Sequence, residues 1–431
     1  MRARARFFAS IIPLAIAAGA CYGALADDSG KGDDHGQMRN DEQLVLKKKI
    51  DVGGNGLGAF DISFVDPKIE LYVLADRTNA SVDLFDSEEA EFIKRIGSTC
   101  PAGNPAPHFC FQGVVLVNGV ANNNLSGPDG VVVVDHKEVW AGDGDSRVKV
   151  IDLATGTFVT TISTGGKFRV DEMAYDSRDH ILAAANNADT PPFVTLFDTN
   201  AKTILGKLVF DTADVGVDAT NGIEQSQWSP ETGLFYVSVP QVGPDTTVGG
   251  VSVIDPSTMT VTHTFLVSNC SPAGLALGPR HQALLGCSAS FGTSPNVVTQ
   301  SVIIDITSTS SDLDGAVVAT VPLGGSDEVW FDRGTRHYFL AARNNADNTG
   351  KITPVLGSID ARTNMLDPST PTSTTAHSVA ADENSHNVFV PVGFVPPNSP
   401  AGTDPTNPCP TDGCIAVFKA HADHDEEMSQ K

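Results

Sequence analysis

The chain has 431 residues, with 52 Asp and Glu against 28 Lys and Arg, giving a formal net charge of −24. That balance excludes unaided binding to nucleic acid or to an anionic membrane surface, where basic charge must dominate. A hydrophobic content of 41% with 40 Gly and 26 Pro fits a folded, turn-rich chain and excludes an extended disordered one.

Arg2, Arg4 and Arg6 precede an apolar run over residues 7–20, and Ala24, Leu25 and Ala26 then supply a small-x-small cleavage site. Residues 1–26 therefore read as an export signal, which places the remainder in the periplasm or outside the cell. The run is too short to span a bilayer, which takes roughly 20 apolar residues. Cys21 leaves a lipid anchor open, although Ala18, Gly19 and Ala20 make a poor lipidation site before it. Residues 27–42 are polar and rich in Asp, Gly and Lys, and read as a disordered lead.

From residue 43 onward the sequence repeats. A strand of alternating β-branched or aromatic residues ending in Asp occurs at 82–86, 148–152, 194–198 and 251–255. Weaker copies end at Asp305 and Asp360, and a seventh at 415–419 ends in Lys419 instead. Period-two patterning closed by Asp and turn residues predicts a strand running into a tight turn. A further strand follows most copies, at 91–96, 157–162, 203–208, 260–265 and 316–321, and two strands precede each. The first strands start at Asp61, Gly130, Asp171, Glu224, Ala273, Asp327 and His377, 41 to 69 residues apart. Such spacing fits four-stranded propeller blades carrying loop insertions.

The seventh unit stops after three strands, while an orphan strand at 45–50 precedes the first. Adding the orphan to the last unit closes a ring and removes an exposed sheet edge. The expectation is an all-β, seven-bladed β-propeller over residues 43–419, closed by its N-terminal strand. Residues 420–431 read as an acidic, His-bearing tail. Apart from Cys21, six cysteines fall in local pairs: Cys100 with Cys110, Cys270 with Cys287, and Cys409 with Cys414. An even number in an exported chain favours disulfides. Without a CxxC the zinc alternative is weaker, and without a CxxCH there is no covalent haem. No P-loop or GxGxxG follows a strand, so no nucleotide is expected, and GxSxG and HExxH are also absent.

In a propeller, the start of each first strand and the loop from second to third strand meet at one mouth of the central channel. Asp61, Asp171, Glu224, Asp327 and His377 fall at such starts, with Asp129, Glu172 and Glu328 beside them. Like charges 4 Å apart repel by about 4 kcal/mol at an effective dielectric of 20. A ring of this kind takes protons, meets cationic partners or holds a divalent metal, either Ca²⁺ or, with the His, Zn, Mn or Fe. Alternatively these side chains only satisfy backbone N–H groups. The second-to-third loops add Asn187 and Asn345, with Arg77, Arg147 and Arg343 as candidate clamps for a substrate carboxylate or as salt-bridge partners of the acids.

The strand–Asp-turn phrase, best seen at 150–156, and second strands such as 71–74 and 234–237 resemble the YVTN-type seven-bladed propellers, a lactonase-like superfamily of exported bacterial proteins. The resemblance covers roughly residues 43–419. Its metal-using members hold the ion with a Glu, Asn and Asp set, to which Glu224, Asn187, Asn345 and Asp327 correspond in type. It implies a metal-assisted hydrolase or lyase acting on a small lactone-like molecule; from the ring of strand starts, the ion would sit on Asp61, Asp171, Glu224, Asp327 and His377. His377 or Glu224 would serve as base. The same architecture also serves pure binding modules. The alternative is therefore a non-catalytic periplasmic scaffold for a protein, metal or oligosaccharide partner.

Overall fold

The structure, a computed structural model, describes residues 43–97, 109–307, 316–394 and 405–419. The expected export signal, Cys21, the polar lead, Cys100 and the acidic tail lie outside the described residues. Seven four-stranded antiparallel blades follow one another along the chain. Blade one runs outward from the axis as Ser63–Asp66, Leu71–Asp76, Ser81–Asp86 and Glu91–Ile96. The first strands of the remaining blades are Val131–Val134, Met173–Asp176, Ser226–Trp228, Pro272–Leu277, Val329–Asp332 and Ala380–Ala381. Each touches the first strand of the next blade, and the seventh touches the first, so the ring is closed.

Burial follows position within a blade. Middle strands are covered on both faces by neighbouring blades, so Leu71–Asp76 and Asn387–Val392 are buried throughout. Outermost strands alternate, as in Val317–Val321, because one face meets solvent. The apolar core accordingly lies between blades: Val73 and Val82 of blade one pack with Val131, Ala141 and Ile151 of blade two. Third strands end in the expected Asp turns. Asp152 accepts the Thr155 N–H at 2.7 Å, Asp198 that of Ala201 at 2.8 Å, and Asp255 that of Ser257 at 2.8 Å. A carboxylate that caps backbone donors two or three residues ahead fixes the turn, which is why Asp recurs there.

The long spacing between blades one and two holds a short hairpin, Leu116–Val117 with Val120–Ala121, and a 3₁₀ turn over Asn123–Leu125. Blade six ends in two short outer pieces, Met365–Leu366 and Thr370–Pro371, both paired to Val355–Asp360. Pro371 has no N–H to give a ladder, so it is confined to such an edge. Cys270 and Cys287 form a disulfide with Cα atoms 4.9 Å apart, joining the lead into blade five to the end of its second strand. Cys409 and Cys414 form another, 5.6 Å apart, and Cys110 is also disulfide-bonded. No helix among the described residues is long and apolar enough to cross a membrane.

The orphan strand Val45–Ile50 pairs antiparallel with Cys414–Lys419, from Val45 opposite Lys419 to Ile50 opposite Ile415. It completes blade seven from the far end of the chain, and Thr370 Oγ1 further ties blade six to the Leu44 carbonyl at 2.8 Å. Deleting residues 43–51 exposes the edge of Cys414–Lys419 and should lower the melting temperature and promote aggregation. Calorimetry and light scattering check this; a truncated chain that melts with the full one contradicts closure by this strand.

Candidate functional site at the channel mouth

One backbone interaction recurs at the mouth where the first strands begin. The N–H groups of Asp61, Asp129, Asp171 and Glu224 each donate to a carbonyl at the end of their own blade's second strand: Ala75, Gly142, Ala185 and Ser238, at 2.8 to 3.0 Å. The repeat therefore delivers acids to equivalent places in four consecutive blades. Blade two contributes Asp129, one residue before the strand start expected at Gly130.

Two guanidinium groups lie among these acids. Arg77, at the head of blade one's second-to-third loop, donates through Nη2 to Asp61 and through Nε to Asp129 at 2.9 Å. Arg169, just ahead of Asp171, reaches Asp171 Oδ2 at 2.7 Å and Asp61 Oδ2 at 3.6 Å. Arg77 is 4% exposed, so its charge is held almost entirely by these partners. The Asn187 amide completes the lattice: Nδ2 donates to Asp171 at 2.5 Å and to Glu224 at 3.4 Å, while Oδ1 accepts from Arg169 Nε at 3.3 Å.

His377 stacks on Phe60 with ring centroids 4.5 Å apart. Its Nδ1 lies 2.9 Å from the Thr375 carbonyl, which only accepts, so Nδ1 carries a proton. Nε2 lies 3.5 Å from Asp61 Oδ1. Asp327 sits farther out, paired with Arg343 at 2.7 Å. Two predicted residues stand apart. Arg147 approaches Asp145 at 3.8 Å, and Asn345 donates to the carbonyl and hydroxyl of Thr353.

The charges explain the protonation. Burial alone would raise the Asp61 carboxyl, but Arg77, His377 and Arg169 together bring it below the usual carboxylate range. Burial dominates for the others despite the same cations. Asp171 is raised to about 7, and Asp129 and Glu224 are pushed well above their ordinary values. Two guanidiniums cannot balance four buried carboxylates, so the excess is met by retained protons. Among the described residues no three His, Cys, Asp or Glu side chains group so as to hold a metal ion. At this ring the cationic part is taken by Arg77 and Arg169.

Arg169 escaped the sequence analysis because it belongs to no repeat. Its one signal is a basic residue, close behind Lys167, two positions before a strand start in a strongly acidic chain. Also missed was the opposite mouth, formed by the turns from first to second strand. Two adjoining cavities of about 460 Å³ each open there, sharing Phe64, Met173, Trp228 and Arg333.

Buried acids with raised pKa values make stability depend on pH. In the folded chain Asp171 keeps its proton to about 7, against an ordinary 3.8. Asp76 behaves likewise to about 7 and Asp143 to about 6, burial being the leading cause in both. The folded state thus binds more protons than the unfolded one between these limits. The stabilisation is complete below 3.8 and is lost as pH rises toward 7. Melting temperature should fall from pH 4 to pH 7, and Asp171→Asn should flatten the slope; a slope that rises, or that the variant leaves unchanged, contradicts the assignment.

Comparison with models of known protein families and with curated protein sequences returns no match for this chain.

Proposed function

We propose that the chain is an exported, non-catalytic binding propeller that takes a small molecule into the channel at the mouth formed by the first-to-second-strand turns. One observation carries this reading: the open volume lies at that mouth, while the acidic ring at the other is already occupied by its own guanidinium groups. Pockets of this size, with apolar walls and a few polar groups, are characteristic of small-molecule sites. Export is supported by the basic, apolar and small-x-small order of residues 1–26 and by two cysteine pairs at disulfide distance.

The metal-assisted hydrolase or lyase reading fits the ring less well. An ion on Asp61 and Asp171 would have to displace Arg169 from both, and would then stand beside Arg77. Glu224 is the acid that the guanidiniums leave free; the Asn187 amide is its hydrogen-bond partner. Elemental analysis of the purified protein, with melting curves recorded with and without EDTA, decides between the two. The binding reading predicts no stoichiometric metal and no EDTA shift. Stoichiometric metal lost in Glu224→Gln but kept in Asp198→Asn, a turn residue, would establish the metal centre and overturn it.

A further inference from the structure

The funnel at the turn-side mouth has an ordered distribution of charge from floor to rim. Glu172 and Glu328 lie at the floor of one of the two cavities, 3% and 5% exposed, near enough for each carboxyl to act on the other. No Lys or Arg hydrogen-bonds to either among the described residues, and the charges acting most strongly on both are other carboxylates. The pair is thus unlike the ring at the opposite mouth, where guanidiniums stand among the acids. Two adjacent buried carboxyls cannot both ionise unless a cation joins them.

At the rim, by contrast, the unpaired charged groups are cationic. Its acids have partners: Asp66 meets His136 at 2.6 Å, Asp135 accepts from the Tyr175 hydroxyl at 2.6 Å, and Glu231 meets His281 at 3.2 Å. Arg333 and Arg336 also line the funnel and are exposed, and their guanidinium groups have no hydrogen bond or ion pair among the described residues. Between floor and rim the wall is aromatic. Phe64 and Trp330 meet edge-on with centroids 5.6 Å apart, and Trp228 already receives the Arg178 guanidinium 5.9 Å from its ring. Aromatic faces attract cations, most of all where water is excluded.

We propose that this funnel binds a small zwitterion, its ammonium group directed inward to Glu172 and Glu328 and its carboxylate outward to Arg333 and Arg336. The inference rests on the binding reading above and adds the chemical class. An anion without an ammonium group would bring negative charge toward uncompensated carboxyls. A purely apolar ligand would bury them with nothing to offset them. Arg at the rim suits a carboxylate because its planar fork can donate two hydrogen bonds.

Calorimetric titration of the full chain with three probes of one shape tests this. They are 4-(trimethylammonio)butanoate, its cation-only relative butyltrimethylammonium, and its anion-only relative 5,5-dimethylhexanoate. The zwitterion should bind roughly tenfold more tightly than either relative. Arg333→Ala should abolish its advantage over butyltrimethylammonium, and Glu328→Gln and Trp228→Ala should weaken both cations. Should Glu328→Gln unfold the chain, Arg333→Ala on the exposed rim still carries the test. Equal binding of all three, tightest binding of the dimethylhexanoate, no heat from the zwitterion at millimolar concentration, or binding unaffected by these substitutions overturns the proposal. If the zwitterion fails while other small molecules still raise the melting temperature in a Trp228-dependent way, the binding reading stands and only the zwitterion falls. If no small molecule does so, both fall.

Discussion

Seven strands that begin around one axis must place whatever side chains they begin with into a shared, poorly hydrated space. In this chain the starts of four consecutive blades carry carboxyl groups, so the ring has to neutralise its own centre. It does so with two buried guanidiniums, an amide lattice and retained protons. Arg77 and Arg169 together hold Asp61, Asp129 and Asp171, and Asn187 links that group to Glu224. Removing one member of such a set leaves an uncompensated buried charge, a cost of about 3–5 kcal/mol. The same closeness that makes the acids resemble a reactive centre also makes them mutually dependent structural parts.

The two mouths differ for a physical reason. Where first strands begin, backbone N–H groups and second-to-third loops crowd the axis, and the polar groups there find partners within the protein. Where the strands leave, the open space is lined by Phe64, Met173 and Trp228 with a carboxyl pair beneath. Closure by Val45–Ile50 matters for both ends, because an open ring would let the blades spread and would admit water to the axis. Rigid surroundings of this kind favour binding by complementarity, since few groups need to be ordered when a ligand arrives.

What could be read from the sequence was what lies along it. Strand alternation and the Asp turn are local, and Asp152, Asp198 and Asp255 cap the turns that the repeat implied. The orphan strand was legible because an incomplete last unit leaves an edge to be filled. The site was legible only in outline. The repeat brought Asp61, Asp171, Glu224 and His377 to one mouth, but Arg77 to Asp129 and His377 to Asp61 are contacts between blades, set by ring geometry and not by spacing. Identical wording also diverged. Residues 186–189 and 344–347 both read Asn-Asn-Ala-Asp, yet Asn187 is buried among the axial acids whereas Asn345 is only half-buried and bonds to Thr353. Asp189 accepts N–H groups of the segment leading to Arg169, while Asp347 folds its own loop by accepting from Thr349 and Lys351. The turn-side funnel went unread because Phe64, Trp228 and Trp330 look like ordinary strand residues until the blades are set around an axis.

The central claim is that the axial acids are governed by two guanidiniums and by burial. Its most direct test is a carboxyl-carbon NMR titration of Asp171 in protein labelled at aspartate, in the native chain and in Arg169→Met. The account predicts a midpoint of about 7 in the native chain and a higher one in the variant, where burial acts with less opposing charge. A native midpoint near the ordinary 3.8, unmoved by the substitution, would contradict it.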